Sequence, residues 1–174
     1  MLEDGAEALS GSPQALLERS AISRGSFYAF FETPDRVLDE LALQVVLDSR
    51  DWVNRRLGDR PRAHWTEIVD TIMEYYDTMF SRPLVRELWV GQHLTNRIRQ
   101  LDRIWADEFA AILLAEFEHH PEFEQLTLTQ CVIAVEVMER LGQYAYRREV
   151  TADGDRVAMS EARRVIENYF ASLL

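Results

Sequence analysis

Apolar residues recur every three or four positions along most of the chain, which is the pattern of helices that bury one face. The strongest example runs from Trp65 to Phe80, where Ile68, Ile72 and Tyr76 fall on one side. The predicted helices span residues 13–20, 23–31, 34–58, 62–80, 83–94, 95–119, 123–148 and 155–173. The sequence contains no period-two alternation long enough to indicate a strand. The pattern therefore predicts an all-α fold.

Capping residues and prolines mark where these helices begin. Ser12-Pro13 and Thr33-Pro34 each pair a capping side chain with a proline at the first helical position. Two short helices around a tight turn at residues 21–23, followed by a long helix, form a helix-turn-helix head joined to a body. We therefore expect a head over residues 1–38, with an incomplete first helix, and a C-terminal helical body over residues 39–174.

The segment between Leu16 and Leu38 resembles the head of the TetR family of transcriptional regulators. The family pattern A-G-V-S-x-G-x-(L/F)-Y-x-(H/Y)-F is matched at fixed spacing, and the matching residues are Ile22, Ser23, Gly25, Phe27, Tyr28 and Phe31. The sequence departs from it at three positions. Ala21 replaces the usual turn glycine, which fits only a backbone that is not strongly left-handed. Phe30 and Pro34 replace residues that contact DNA in the family.

The resemblance implies that the second short helix enters the major groove of a double-stranded DNA operator. Arg24 can pair with guanine or with a phosphate, and the hydroxyls of Tyr28 and Thr33 suit backbone phosphates. The predicted DNA-binding residues are Ser23, Arg24, Ser26, Tyr28 and Thr33.

The family's body encloses a ligand cavity, and this body is rich in aromatic residues with polar tips, which suit such cavities. The resemblance therefore implies a small apolar or aromatic effector. The predicted ligand-binding residues are Tyr76, Phe80, Trp89, His93, Trp105, Phe109 and Met138.

Small and medium residues recur at spacings of four and three along the last two predicted helices, and such a seam allows two helices to approach closely. Family members pair these helices between subunits, which predicts a homodimer with an isologous interface. An alternative is that both stripes are internal core. The predicted interface residues are Cys131, Val135, Met138, Gly142, Ala145, Ala162, Ile166, Tyr169 and Leu173.

The net charge is −11, from 19 basic and 30 acidic residues. Residues 1–33 hold two arginines against five acidic side chains. This acidity argues against general coating of nucleic acid, which requires a broad basic surface, but it leaves room for a small local site. The longest apolar run, residues 109–115, is too short to span a membrane, and the first ten residues do not resemble a signal peptide. We expect a cytoplasmic protein without a membrane partner.

The sequence contains few candidates for a metal-binding or catalytic site. Glu116 and His119 have the spacing used in di-iron bundles, but such sites need a second copy of that motif, which the sequence lacks. Neither a nucleophile motif nor a phosphate-binding loop is present. The sequence thus predicts no metal, no cofactor and no enzyme. The resemblance to the TetR family implies a ligand-responsive transcriptional regulator, a repressor that binds a palindromic operator as a dimer and is released by a small apolar effector. The alternative is a helical protein-interaction module of the same ancestry that has lost operator binding.

Overall fold

All regular secondary structure in the described part of the chain is helical. The structure is a computed structural model and describes residues 17–18, 21–58, 62–91, 94–147, 151 and 153–174. These residues contain seven α-helices and no strand. The helices are α1 (Arg24–Phe30), α2 (Pro34–Leu57), α3 (Thr66–Phe80), α4 (Pro83–Val85), α5 (Asn96–Phe117), α6 (Leu128–Ala145) and α7 (Arg156–Ala171). The predicted all-α fold is confirmed.

Side-chain caps fix the start of most helices. The hydroxyl of Ser23 accepts the amide of Ser26 at the start of α1. Thr95 caps α5, and Asp155 caps α7 by accepting two backbone amides. Each cap satisfies amides that the first helical turn leaves without a partner.

Helix α6 begins five residues later than the sequence pattern predicted. Thr127 and Gln130 form a reciprocal capping box at its first turn. Pro121–Phe123 instead forms a separate 3-10 turn before it. The prediction of a start at residue 123 was wrong because Phe123 is apolar and fits the helical period, although it belongs to this turn.

The predicted single helix over residues 83–94 is also divided. Helix α4 contains only Pro83–Val85 and continues into a π-helical segment, Arg86–Val90, which ends at Gly91. π-Helical turns are rare and occur often at functional sites. Here the segment buries Leu88 and Trp89 against the body.

Helix α5 lies at the centre of the body, packed between α2 and α6, and α7 packs on α6. Helix α3 contacts α2, α5, α6 and α7. A single apolar core runs from Leu38 in α2 to Phe170 in α7. Within the described residues, we find no helix that combines the length and the apolar character needed to cross a membrane.

Candidate functional site

The head presents its polar residues around the first turn of α1. Ser23 and Ser26 share a hydroxyl–hydroxyl hydrogen bond of 2.8 Å. Arg24 and Tyr28 stand one turn apart on the same face, with the guanidinium 6.0 Å from the ring centroid. Thr33, which precedes α2, makes no capping bond with its side chain. All five predicted DNA-binding residues are exposed.

Phe27 anchors α1, because it is the buried residue of this helix and its ring contacts those of Tyr28 and Phe31. Phe30 is 83% exposed, which leaves a large apolar ring at the surface of the head. The turn before α1 corrects one expectation. Ala21 has a φ of +54°, so a residue with a Cβ occupies the left-handed conformation that the sequence analysis expected the chain to avoid there.

The body contains a cavity of about 40 Å³, which we call the inner chamber. Five of the predicted ligand-binding residues line it: Tyr76, Phe80, Trp89, Trp105 and Phe109. Trp105 and Phe109 stack with their planes 7° apart. A water molecule needs roughly 10–15 Å³ of such space, so the inner chamber exceeds the size of one solvent molecule.

The two remaining ligand predictions have different outcomes. Met138 is fully buried and does not line the inner chamber, because it lies on the part of α6 that faces the protein's own core. His93 lies outside the described residues.

The polar tips of the cavity aromatics are already bonded within the protein. Trp105 donates its indole N–H to the Tyr75 hydroxyl at 3.0 Å, and the Tyr76 hydroxyl donates to the Val135 carbonyl at 3.0 Å. Burial raises the pKa of Tyr75 to about 12, so this phenol stays protonated at neutral pH. These bonds hold the rings in place and leave their faces to form the wall.

A second cavity of about 270 Å³, the outer chamber, adjoins the first. The two share the side chains of Trp89, Asp102, Ala106 and Glu139. Three arginines and one further acid also line the outer chamber: Arg99, Arg103, Arg140 and Glu136. The π-helical segment thus supplies Trp89 to the wall between both chambers.

Sequence reasoning missed several cavity residues. Helix α2 contributes Val45, Val46 and Ser49, although the prediction drew on later helices. Asp102 and Glu139 were missed as well. Asp102 falls on the stripe formed by Ile98, Trp105 and Phe109, and a carboxylate on an otherwise apolar stripe is the signal that would have found it.

The structure corrects the prediction of the dimer interface. Seven of its nine residues are buried inside the single chain: Cys131, Val135, Met138, Gly142, Ala145, Ala162 and Ile166. Tyr169 and Leu173 are half-buried against the same core. The seven buried residues cannot meet a partner without opening the protomer, so their part of the seam is internal core. Burial also raises the pKa of the Cys131 thiol to about 12, as expected for an inert core cysteine.

The opposite faces of α6 and α7 remain exposed and partly apolar. On α6 they carry Ile133, Val137 and Tyr144, and on α7 Val157 and Val165. Their exposures run from 36% for Val137 to 75% for Val157. We call these five residues the outer face.

One contact ties the head end of α2 to α5. The Thr95 hydroxyl donates to the Asp39 carboxylate at 2.5 Å, and Asp39 also lies 3.6 Å from the Arg36 guanidinium. Helix α5 then continues to Asp102 and Trp105 in the chambers, while α2 continues to Val45. Two of the helices that line the inner chamber, α2 and α5, therefore meet at the base of the head.

The acidic and histidine-rich run at the end of α5, residues 116–122, forms no cluster of three or more metal-ligating side chains within the described residues. His120 is buried, with its Nδ1 3.9 Å from Glu122.

The fold matches a known structure over nearly its whole length. A TetR-family transcriptional regulator from Streptomyces coelicolor superposes with a TM-score of 0.67 and 22% sequence identity, covering 95% of this chain and 88% of that chain. No protein-family model and no curated protein matches the sequence. The resemblance inferred from the head is therefore confirmed at the level of the fold.

Proposed function

We propose that this chain, which has the fold of a TetR-family regulator, is a cytoplasmic, ligand-responsive transcriptional repressor. Residues 1–38 serve as the DNA-binding head, and residues 39–174 bind an effector and form a homodimer. One observation carries the proposal. A cavity walled by aromatic rings is lined in part by α2 and α5, and a hydrogen bond joins these two helices at the base of a head with an exposed polar recognition turn.

The head contacts DNA through the first turn of α1. Arg24 supplies a positive charge beside Ser23, Ser26 and Tyr28, and a guanidinium can bind guanine or phosphate with two hydrogen bonds. An anisotropy titration with DNA from the region upstream of the gene, repeated at several salt concentrations, tests this directly. Salt-sensitive binding supports the proposal, because each neutralised phosphate releases counterions.

Arg24→Ala is expected to weaken this binding by about 1–3 kcal/mol, the value of one good base or phosphate contact. Arg50→Ala is the matched control, since Arg50 is an exposed arginine of the body that pairs with Glu108. If the unmodified protein binds no upstream DNA at any salt concentration, the repressor proposal is wrong. The exposed Phe30 ring would then favour the alternative of a protein-interaction module.

The second subunit is a copy of this chain seated on the outer face. Two neighbouring helices both leave branched apolar side chains in water there, and pairing them with their symmetry mates gives an isologous four-helix interface. A dimer places two heads at successive major grooves, about 34–36 Å apart. This interface uses the side of α6 and α7 opposite to the seam predicted from the sequence.

Ile133→Arg should yield a monomer in sedimentation, because it places a charge among the apolar residues of the outer face. Leu47→Arg is the matched control on α2, where the side chain has the same 45% exposure. A dimer that persists in the Ile133 variant would place the interface elsewhere.

The effector acts by changing the spacing of the heads. Ligand entry moves the walls supplied by α2 and α5, and the Thr95–Asp39 hydrogen bond couples those helices at the head. A ligand shifts this equilibrium only by its differential affinity for the two arrangements. The expected readout is release of bound DNA on addition of the effector.

A further inference from the structure

Two carboxylates occupy the junction of the chambers. Asp102 on α5 and Glu139 on α6 line both the inner and the outer chamber. Asp102 accepts the Trp89 indole N–H at 3.0 Å, and Glu139 accepts the Gln143 amide at 2.7 Å. Both donors are neutral, and among the described residues no basic side chain forms an ion pair with either carboxylate. Buried carboxylates usually have a cationic partner.

Three arginines and three acids line the outer chamber, but burial still disfavours the charged forms of Asp102 and Glu139. Burial raises the pKa of both carboxyls, that of Glu139 to about 8. Asp102 and Glu136 add repulsion on Glu139, which the neighbouring Arg140 only partly offsets. Arg99 and Arg103 line the outer chamber, where Arg99 donates to the Leu94 carbonyl. Negative charge at the junction is therefore costly, and a cation placed there would relieve that cost.

The walls of the inner chamber also favour positive charge. Its lining includes Asp102 and Glu139 and no basic residue. Trp89, Trp105 and Phe109 surround the same space, and the faces of aromatic rings attract cations. A lipophilic cation would thus find apolar contact, ring faces and two carboxylates in one place.

We infer that the cavity binds an organic cation, an aromatic or alkyl ammonium compound whose positive charge lies between Asp102 and Glu139. Its apolar part enters the inner chamber among Trp105 and Phe109, and the remainder occupies the outer chamber. This inference rests on the proposed effector-binding function and assigns the chemical class of the effector. The arginines of the outer chamber suit an anion instead, and the test separates the two.

The test uses three probes of nearly the same shape: 1-methylquinolinium (a permanent cation), 1-methylnaphthalene (neutral) and 1-naphthoate (an anion). Calorimetric titration of the DNA-free protein at pH 7 should show the cation binding about tenfold or more tightly than either of the others. Glu139→Gln and Asp102→Asn should each remove most of this preference. Asp107→Asn, an exposed acid on the same helix α5, is the matched control and should leave it intact.

Proton release gives a second readout, which would not change if Glu139 had a purely structural role. Because the Glu139 carboxyl is largely protonated without ligand, cation binding should expel its proton. The measured heat should then depend on the ionisation enthalpy of the buffer, and affinity for 1-methylquinolinium should rise from pH 6 to pH 9. Glu139→Gln should abolish both effects while its circular dichroism spectrum stays that of the unmodified protein.

Equal or tighter binding of the neutral or anionic probe overturns the inference, as does the absence of measurable cation binding. Cation binding with no proton release would also contradict the role given to Glu139. A cation that binds as described but leaves a protein–DNA complex intact supports the inferred site and counts against the release step of the proposed function. The two failures are therefore distinguishable.

Discussion

Gly142 lies where α6 crosses the ring of Phe80, and the structure sets a strong expectation for Gly142→Ala. A Cβ at this position would stand 2.7 Å from Phe80 Cε2 and 2.8 Å from Cδ2. The ring cannot easily turn away, because it is stacked between the rings of Tyr76 and Tyr146, with centroids 6.0 and 6.1 Å distant. The added methyl group must therefore displace packed aromatic rings.

Two opposing contributions set the change in unfolding free energy for Gly142→Ala. Alanine is favoured over glycine inside a helix by about 1 kcal/mol. Overpacking a close-packed core costs roughly 1–3 kcal/mol, and contact with two atoms of a confined ring belongs at the upper end of that range. The variant should therefore lose about 1–2 kcal/mol of unfolding free energy, measured by urea denaturation with an unchanged m-value.

Gly25→Ala is the matched control, since Gly25 is also helical and its added Cβ would meet only the Ser23 hydroxyl at 3.9 Å. That variant should gain about 0.5–1 kcal/mol from helix propensity alone. A Phe80→Leu background should relieve the Gly142→Ala penalty, because the smaller side chain leaves room for the methyl group. If Gly142→Ala is as stable as the unmodified protein, the reasoning that places Phe80 rigidly against Gly142 is refuted.

Three further predictions follow from single residues. Ala21→Gly should raise stability by about 1 kcal/mol or less, because a left-handed alanine is strained, and a lower melting temperature would contradict the φ of +54°. Gly154→Ala should cost about 2 kcal/mol or more in urea denaturation, since φ is +72° and the new Cβ would lie 2.6 Å from the Tyr146 ring; an unchanged midpoint would contradict this. Glu139 has its pKa raised by burial from 4.5 to about 8, so its penalty on folding is absent below pH 4.5 and grows as the pH rises through 8. Glu139→Gln, which keeps the acceptor for Gln143, should therefore match the unmodified protein at pH 4 and exceed its stability at pH 9, and a constant difference would contradict the assignment.

Most helices of the described residues were predictable from the sequence because their signals are local, whereas the predicted helix over residues 13–20 lies almost wholly outside the described residues. Helix α1 begins after its cap Ser23, at the place where the sequence predicts a helix over residues 23–31, and the apolar spacing of residues 65–80 corresponds to the buried face of α3. Periodicity did not predict that α4 gives way to a π-helical segment at Arg86, nor that a 3-10 turn precedes α6. Both kinds of turn keep apolar residues near the helical period. The capping box at Thr127 is a signal that the sequence did contain.

The seam on α6 shows what a hydrophobic stripe cannot reveal. Periodicity identifies the face of a helix that avoids water, but a face buried in its own chain and a face buried by a partner have the same pattern. Small residues such as Gly142 and Ala145 permit close approach, and here the approaching group is the Phe80 ring of the same chain. The outer face is less regular because charged residues such as Glu136 and Arg140 interrupt Ile133 and Val137. Such mixed surfaces are usual where subunits must also fold alone in water. The more hydrophobic stripe on α6 therefore belongs to the core, and the less hydrophobic stripe belongs to the proposed interface.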